Sequence, residues 1–390
     1  MRWKYANTVL LLTMLAFFIT FFARLAISPV VPFITAEFSL SNTQIGFALS
    51  GLWLAYGLAQ FPSGMLADRI GEKTVILIAV GGTAVTSILL AIAPFFGIFV
   101  VAVVLLGAVA GLHYSVATTL LSRTHDDIGA AIGIHSLGAP LAGLIAPVTA
   151  AWIGVRYGWR PAVAIVVVIA LPIFLLIYWR IRPTEPRRPN EPIRERLVSG
   201  SVFSLLARPE TIFTLILAVL ATFVLNGLLT FLPTFLMEHR GLPPTLAAGL
   251  FAGYFVVRGV GQISIGSISD TYGRDFAIAI CMGSGSIGFA LMTVGPGMAL
   301  LVAAVVLAGI GASFFPAIDP RFLDQFPESS RNAGFGLVRT IYGVIGATGS
   351  IGLGFFSDVF GWAIGMGILA TLYTFALVII SLNWGFKLGY

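Results

Sequence analysis

Charge is scarce in this chain: Asp, Glu, Lys and Arg make up 10% of its 390 residues, while hydrophobic residues make up 58%. A soluble domain is about a quarter charged, so water is excluded as the solvent for most of this surface. Cysteine occurs once, at Cys281, which rules out an internal disulfide and a thiolate metal cluster. Histidine occurs four times, and His113 and His135 lack the further ligands that a zinc site needs. They also lack a nucleophile or base on a facing helix, so no enzyme activity, catalytic residue, metal or cofactor is expected. No Walker-type glycine loop is present, which argues against ATP-driven pumping. The net charge of +6 gathers in a few loops and makes no face for nucleic acid.

Long apolar runs are what the chain does have. Segments of spanning length fall near residues 8–34, 44–66, 74–95, 98–121, 128–154 and 161–181, then near 210–236, 245–268, 275–295, 297–318, 332–356 and 362–385. In lipid only helices or closed barrels satisfy the backbone, and barrel strands alternate over ~10 residues. The runs therefore predict an all-α polytopic membrane protein with twelve transmembrane helices. The first run, behind Met1-Arg2-Trp3-Lys4, is too long for a signal peptide and reads as a retained helix.

Basic residues set the expected orientation. Arg2, Lys4, Arg69, Lys73, Arg123, Arg274, Arg331 and Lys387 fall on one side with the basic middle segment, and only Arg156, Arg160 and Arg240 on the other. The positive-inside rule then puts both termini in the cytoplasm of a multi-pass cell-membrane protein. The stretch RIRPTEPRRPNEPIRERLVSG, Arg180 to Gly200, carries four prolines and suits a solvated linker with one short amphipathic helix at the membrane surface. It divides the chain into a six-helix bundle over residues 1–181, a cytoplasmic linker over 182–208, and a second six-helix bundle over 209–390.

The two halves repeat. At a displacement of 202 residues Gly51, Gly57, Gln60, Gly64, Asp68 and Gly71 meet Gly253, Gly259, Gln262, Gly266, Asp270 and Gly273 without a gap. At 203, Tyr157-Gly158-Trp159 meets Phe360-Gly361-Trp362. An even number of helices per copy gives both the same topology, as in transporter halves related by an axis along the membrane normal. The loop GMLADRIGEK (Gly64, Asp68, Arg69, Gly71, Lys73) thus has an echo in GSISDTYGRD (Gly266, Asp270, Gly273, Arg274). Gly64 is expected to let a helix end approach another backbone, Gly71 to permit a tight turn, and Asp68 to lie near a helix N-terminus.

Six plus six helices, a basic central linker and G-x-L-x-D-R-x-G-x-K after the second helix resemble the major facilitator superfamily across essentially the whole chain. Glu72 departs from that motif, where the family has Arg or Lys. The resemblance implies alternating access about a midplane site. It also implies that Asp68 meets the start of the eleventh helix, around Arg331 and Asn332, so that the two loops latch a cytoplasmic gate. On that view Glu72 weakens the latch, and Glu72→Arg favours the outward-open state. The stretch Gly111 to Pro147 is loosely similar to exporters of the fosmidomycin-resistance type, and within it Gly138-Ala139-Pro140 with Gly143 is similar to the glycine-proline motif on the fifth helix of proton antiporters.

An ionisable residue too deep to reach the interface is a functional candidate in a membrane span. Arg24 lies inside the first span, ahead of Pro29 and Pro32, which can bend its far end, and aligns with Asn226 of the seventh. Arg258 sits mid-span in the eighth, opposite Tyr56 in the repeat, and Arg339 is three residues before Tyr342 in the eleventh. Guanidinium groups offer forked donors matched to carboxylate or phosphate, so Arg24, Asn226, Arg258, Arg339 and Tyr342 are the expected substrate contacts. The competing reading has Arg24 reaching the interface and Arg339 pairing with Asp319 or Asp324.

His113 and His135 could approach one another and carry a coupling proton, or could be hydrogen-bonded structural residues. Asp319, in Asp319-Pro320-Arg321, is a third coupling candidate, although that tripeptide is expected to end the tenth helix at the surface. The leading expectation is a secondary transporter of a small, anionic organic solute, sufficient as a monomer, with membrane lipid and protons as its other expected partners. A proton-coupled exporter of drug-like amphipaths is the transport alternative, and a transporter-like solute receptor the other.

Overall fold

The protein is described by a computed structural model covering residues 5–125, 127–186, 206–294, 297–327 and 331–386. The linker arginines at 187, 188, 194 and 196, the linker's surface helix, Arg2, Lys4 and Lys387 lie outside the described residues, as do the side chains of Arg331 and Asn332. Among the described residues every regular element is helical.

The first half comprises α1 (Tyr5–Leu25), a 3-10 turn (Ser28–Val30), α2 (Val31–Phe38), α3 (Asn42–Ile70), α4 (Glu72–Ala91), α5 (Phe96–Gly111), α6 (His113–Thr124), α7 (Ile128–Ser136), α8 (Gly138–Tyr157) and α9 (Trp159–Arg180). The second comprises α10 (Pro209–Glu238), α11 (Pro244–Tyr272), α12 (Arg274–Val294), α13 (Met298–Gly311), α14 (Phe315–Gln325), α15 (Arg331–Ala347), α16 (Gly349–Phe360) and α17 (Trp362–Phe386). Eleven spans among the described residues are long and apolar enough to cross a membrane. The helix outside that set is α3, 29 residues long, whose run includes Gln60, Ser63, Asp68 and Arg69. Large apolar side chains such as Val168, Val260 and Ile263 stay exposed, which suits a lipid-facing wall.

By their contacts, residues form two compact units: Met1–Leu40 with Gly51–Glu195, and Ser41–Ser50 with Arg196–Tyr390. The same packing recurs inside each. In the first, α4 lies against α9 and α5, and α1 against α8; in the second, α12 lies against α17 and α13, and α10 against α15 and α16. The turn glycines recur too: Gly71 and Gly273 have φ of +86° and +95°, Gly158 and Gly361 of +86° and +81°. A side chain is strained in that region, which is why glycine stands there.

One pair of close backbone approaches also follows the repeat. A Cβ at Gly107 would overlap the Leu52 carbonyl oxygen, and one at Gly309 would lie 3.1 Å from that of Tyr254. Both members of these pairs are displaced by 202 residues. Small residues let membrane helices cross closely where no hydrophobic effect drives them together. Gly64 behaves otherwise than expected: among the described residues an added Cβ would meet nothing within 4 Å. Gly107→Ala should therefore lower the unfolding temperature of the detergent-solubilised protein, by the about 1–3 kcal/mol typical of overpacking. Gly64→Ala should leave it unchanged.

Several spans are broken. The bend expected at Pro29 and Pro32 is the 3-10 turn between α1 and α2. Breaks at Leu112, between α5 and α6, and at Ala312–Phe314, between α13 and α14, occupy equivalent places in the repeat. The second break corrects an expectation. Asp319-Pro320-Arg321 does not end the tenth span, because the chain restarts a helix at Phe315 and absorbs Pro320 before α14 closes at Gln325.

Candidate functional site

In the first unit the site is built on one face of α1. Phe17, Phe21 and Arg24 follow at helical spacing, and Phe17 and Phe21 meet edge to face at 5.8 Å. Arg24 is 4% exposed, so it does not reach the interface. Its Nε donates to the Thr20 carbonyl at 3.1 Å, within its own helix. Its Cζ lies 3.9 Å from the ring centre of Tyr56, 4.5 Å from that of Phe21 and 5.1 Å from that of Trp53. The rings take the faces of the guanidinium by cation–π attraction. Its edge remains: both Nη groups are buried without a well-aligned hydrogen bond among the described residues, although the Tyr56 hydroxyl lies nearby. A charged donor pair that closes no aligned hydrogen bond in low dielectric is costly to keep.

His113 and His135 do come together. Both are fully buried, with ring centres 5.3 Å apart. Phe17 stacks on both, at 5.9 Å and 5.1 Å, and Tyr114 lies 5.7 Å from His135. The breaks position them, since His113 opens α6 and His135 is the last residue but one of α7. None of the four ring nitrogens closes a well-aligned hydrogen bond, although the backbone of Thr13 lies beside both rings. Among the described residues no group of three metal-ligating side chains is present.

In the second unit Asp319 and Tyr342 meet, the Tyr342 hydroxyl donating to Asp319 Oδ1 at 3.0 Å. The charge of Arg339 bears on the same carboxylate, and its guanidinium lies 5.9 Å from the Phe335 ring centre. Arg258 acts locally, its Nε donating to the Ala312 carbonyl at 3.2 Å while Ser313 donates its hydroxyl to the Arg258 carbonyl. It thereby satisfies the backbone freed by the break before α14. Asn226 is buried in α10, where its carbonyl accepts from Ser350 at 3.2 Å and Ser350 meets Thr230 at 2.7 Å.

The loop after α3 is anchored within the first unit. Gly71 needs its positive φ and also has the Thr184 carbonyl against it, where a Cβ would not fit. The Lys73 amide donates to Thr184 Oγ1 at 2.9 Å, and its Nζ to the Tyr178 carbonyl at 2.7 Å. Glu72 is buried and ion-paired to Arg123 at 2.7 Å. In the echo, Arg274 Nη1 reaches Asp270 at 2.5 Å and its Nε reaches Asp324 at 3.3 Å. The second unit carries both polarities at this place: Arg274 pairs with Asp324, and the next residue, Asp275, pairs with Arg321 at 2.7 Å, acid to base as Glu72 pairs with Arg123.

Sequence reasoning missed the aromatic walls Phe21, Trp53 and Tyr56 and the Glu72–Arg123 pair. The only signals were the helical spacing of Phe17, Phe21 and Arg24, and Trp53-x-x-Tyr56 on the neighbouring helix.

Comparisons with known proteins agree with this architecture. The hexuronate transporter of Bacillus subtilis (strain 168) is 24% identical over 391 residues, covering 93% of this chain and 92% of the relative. The glycerol-3-phosphate transporter of the same organism is 23% identical, over 91% of this chain and 86% of the relative. A bacterial homolog of the human lysosomal transporter Spinster, inward-facing and unoccupied, shares the fold with a TM-score of 0.83 at 18% identity, over 98% of this chain and 97% of that one. A family model described as Major Facilitator Superfamily matches residues 13–257 and 241–384. With that match along nearly all of its length, the chain belongs to the major facilitator superfamily.

Proposed function

We propose that this protein is a secondary active transporter of a small organic anion, working by alternating access. The observation that carries the reading is the buried edge of Arg24, whose two Nη groups close no aligned hydrogen bond and whose faces are covered by aromatic rings. That edge is a fork matched to two oxygens of one carboxylate or phosphate. The names of the two relatives, a hexuronate and a glycerol-3-phosphate transporter, support the same substrate class. Asn226, Arg258, Arg339 and Tyr342 are the proposed contacts in the second unit. Protons are the proposed coupling ion. The buried His113–His135 pair and Asp319, held by Tyr342, are the two carriers available. The loops from Gly64 to Lys73 and from Gly266 to Asp275 act as gate elements on the cytoplasmic side, the side of both termini, in a protein that works as a monomer.

Purified protein in proteoliposomes tests this. Glucuronate and glycerol-3-phosphate are offered beside glucose and glycerol, their uncharged counterparts. Uptake of an anion, stimulated by the same anion on the far side, is expected, with the neutral compounds excluded. Flux of cationic amphipaths with none of the anions would overturn the reading in favour of drug export.

A further inference from the structure

At the end of the second unit opposite the turn from α11 to α12, a cavity lies between the end of α10 and the start of α13. It measures about 330 Å³, opens to one side, and is lined by His239, Arg240, Leu242, Gly297, Met298 and Leu301. The same place in the first unit is packed with rings. In each unit an acid near the end of the first span accepts from the indole that opens the last, Glu37 from Trp159 at 2.7 Å and Glu238 from Trp362 at 3.0 Å. Phe38 follows the first of these acids, its ring centre 6.3 Å from that of Phe99 and 5.9 Å from that of Trp159, and Phe96 stacks on Phe99 at 6.1 Å. In the second unit His239 follows the acid, and Met298 and Leu301 stand 202 residues on from Phe96 and Phe99. Three phenyl rings have given way to an imidazole and two aliphatic side chains, and the space is open. The chain is also one residue longer there. The left-handed turn comes directly after Phe38, at Ser39, but one residue later in the second unit, at Gly241, and the added residue supplies a second base, Arg240.

A guanidinium and an imidazole beside Leu242, Met298 and Leu301 suit a ligand that is anionic at one end and apolar at the other. The Glu238 carboxylate is turned to Trp362 and is not part of the lining. Depth narrows the ligand further. His239 and Arg240 come directly after the span Pro209–Glu238, and Met298 opens the span Met298–Gln325, so both bases sit where apolar spans meet the headgroups. Met298 and, one turn on, Val302 are 43% and 42% exposed, an apolar track leading from the cavity along the lipid-facing wall. Basic pockets between membrane helices hold anionic headgroups in this way.

We propose that this cavity seats the headgroup phosphate of one anionic phospholipid, whose acyl chains lie along Met298 and Val302. The site is independent of Arg24 and of the solute carried, and its test needs no transport. Delipidated protein in detergent is titrated with phosphatidylglycerol or phosphatidylcholine, and bound lipid is counted by native mass spectrometry. One phosphatidylglycerol should bind about tenfold more tightly than phosphatidylcholine, whose choline offsets the phosphate charge. Removing both bases, His239→Gln with Arg240→Gln, should abolish that preference. So should Met298→Phe with Leu301→Phe, which refills the cavity with the rings of the first unit and changes no charge. Glycerol-3-phosphate, a phosphate ester without chains, should not displace the lipid. A preference that survives in both double variants would overturn the proposal, since the lipid would then bind elsewhere. Displacement by glycerol-3-phosphate would also overturn it, in favour of a site for soluble phosphate esters. The two variants act by charge and by volume, so if one fails to fold the other decides.

Discussion

Arg24→Met is expected to abolish anion transport and, at the same time, to raise the unfolding temperature of the empty protein. The two effects have one cause. A guanidinium with both Nη groups buried and unmatched is a burden on the folded state. A methionine of similar length keeps contact with Phe21, Trp53 and Tyr56 without the charge. An arginine kept for structure would show the opposite, a fall in unfolding temperature. Transport should fall by at least about a hundredfold, the scale on which losing one member of a buried, hydrogen-bonded charge pair acts, ~2–5 kcal/mol. Arg24→Lys should not rescue it, because an ammonium has neither the planar faces for the rings nor the fork for two oxygens. Thermal shift gives the remaining arm: glucuronate or glycerol-3-phosphate should stabilise the native protein by mass action and leave the Arg24→Met variant unmoved. Retained anion flux in that variant would sink the anion reading.

The second large effect lies at the turn into α4. Glu72→Arg should destabilise the protein, because it puts a second guanidinium in the buried place of Glu72, 2.7 Å from the exposed Arg123. Arg123→Glu should do the same, and the double exchange Glu72→Arg with Arg123→Glu should recover most of the loss. The measurement is a double-mutant cycle on unfolding temperature or detergent half-life. A loss of stability of this kind is separable from the expected shift of Glu72→Arg toward the outward-open state, which accessibility labelling reads. Glu72 is the buried pole of an ion pair whose other pole, Arg123, is exposed. The arrangement in the other unit, Arg274 with Asp324, shows that either polarity serves. Exchange without recovery would mean that Glu72 acts on something besides Arg123.

The fold could be read from the sequence because its determinants are local or periodic. Uninterrupted apolar runs fix the spans, and glycines at φ near +90° fix the turns at Gly71 and Gly273. The repeat shows because those glycines have no substitute. Pairings between distant residues were illegible for a physical reason: helices in lipid can rotate about their axes without breaking any apolar pattern. Nothing in the spacing of Glu72 and Arg123 says that they face one another. The site was half legible. Arg24 announced itself as a charge in an apolar run, and the approach of His113 and His135 was open to anticipation. The ring cage of Arg24 was not, since Trp53 and Tyr56 look like any aromatic pair in a membrane helix. Asp319 was misjudged because Pro320 looked like a stop, whereas the chain had already restarted its helix at Phe315.

The glycine crossings bear on how the two copies came to differ. At Gly107 the opposing surface is the Leu52 carbonyl; at Gly309 it is the Val257 side chain together with the Tyr254 carbonyl. Four residues on, Gly111 lies against the Tyr56 carbonyl, and Ser313 bonds that of Arg258. The contacts that Leu52, Tyr254, Tyr56 and Arg258 make at these crossings run through their carbonyls and place no demand on their side chains. Leu52 and Tyr56 could drift from Tyr254 and Arg258 after duplication without disturbing the helices that carry them. One descendant position now walls the cation of Arg24, and the other is itself a cation. The joint stayed constant and left the chemistry free to diverge.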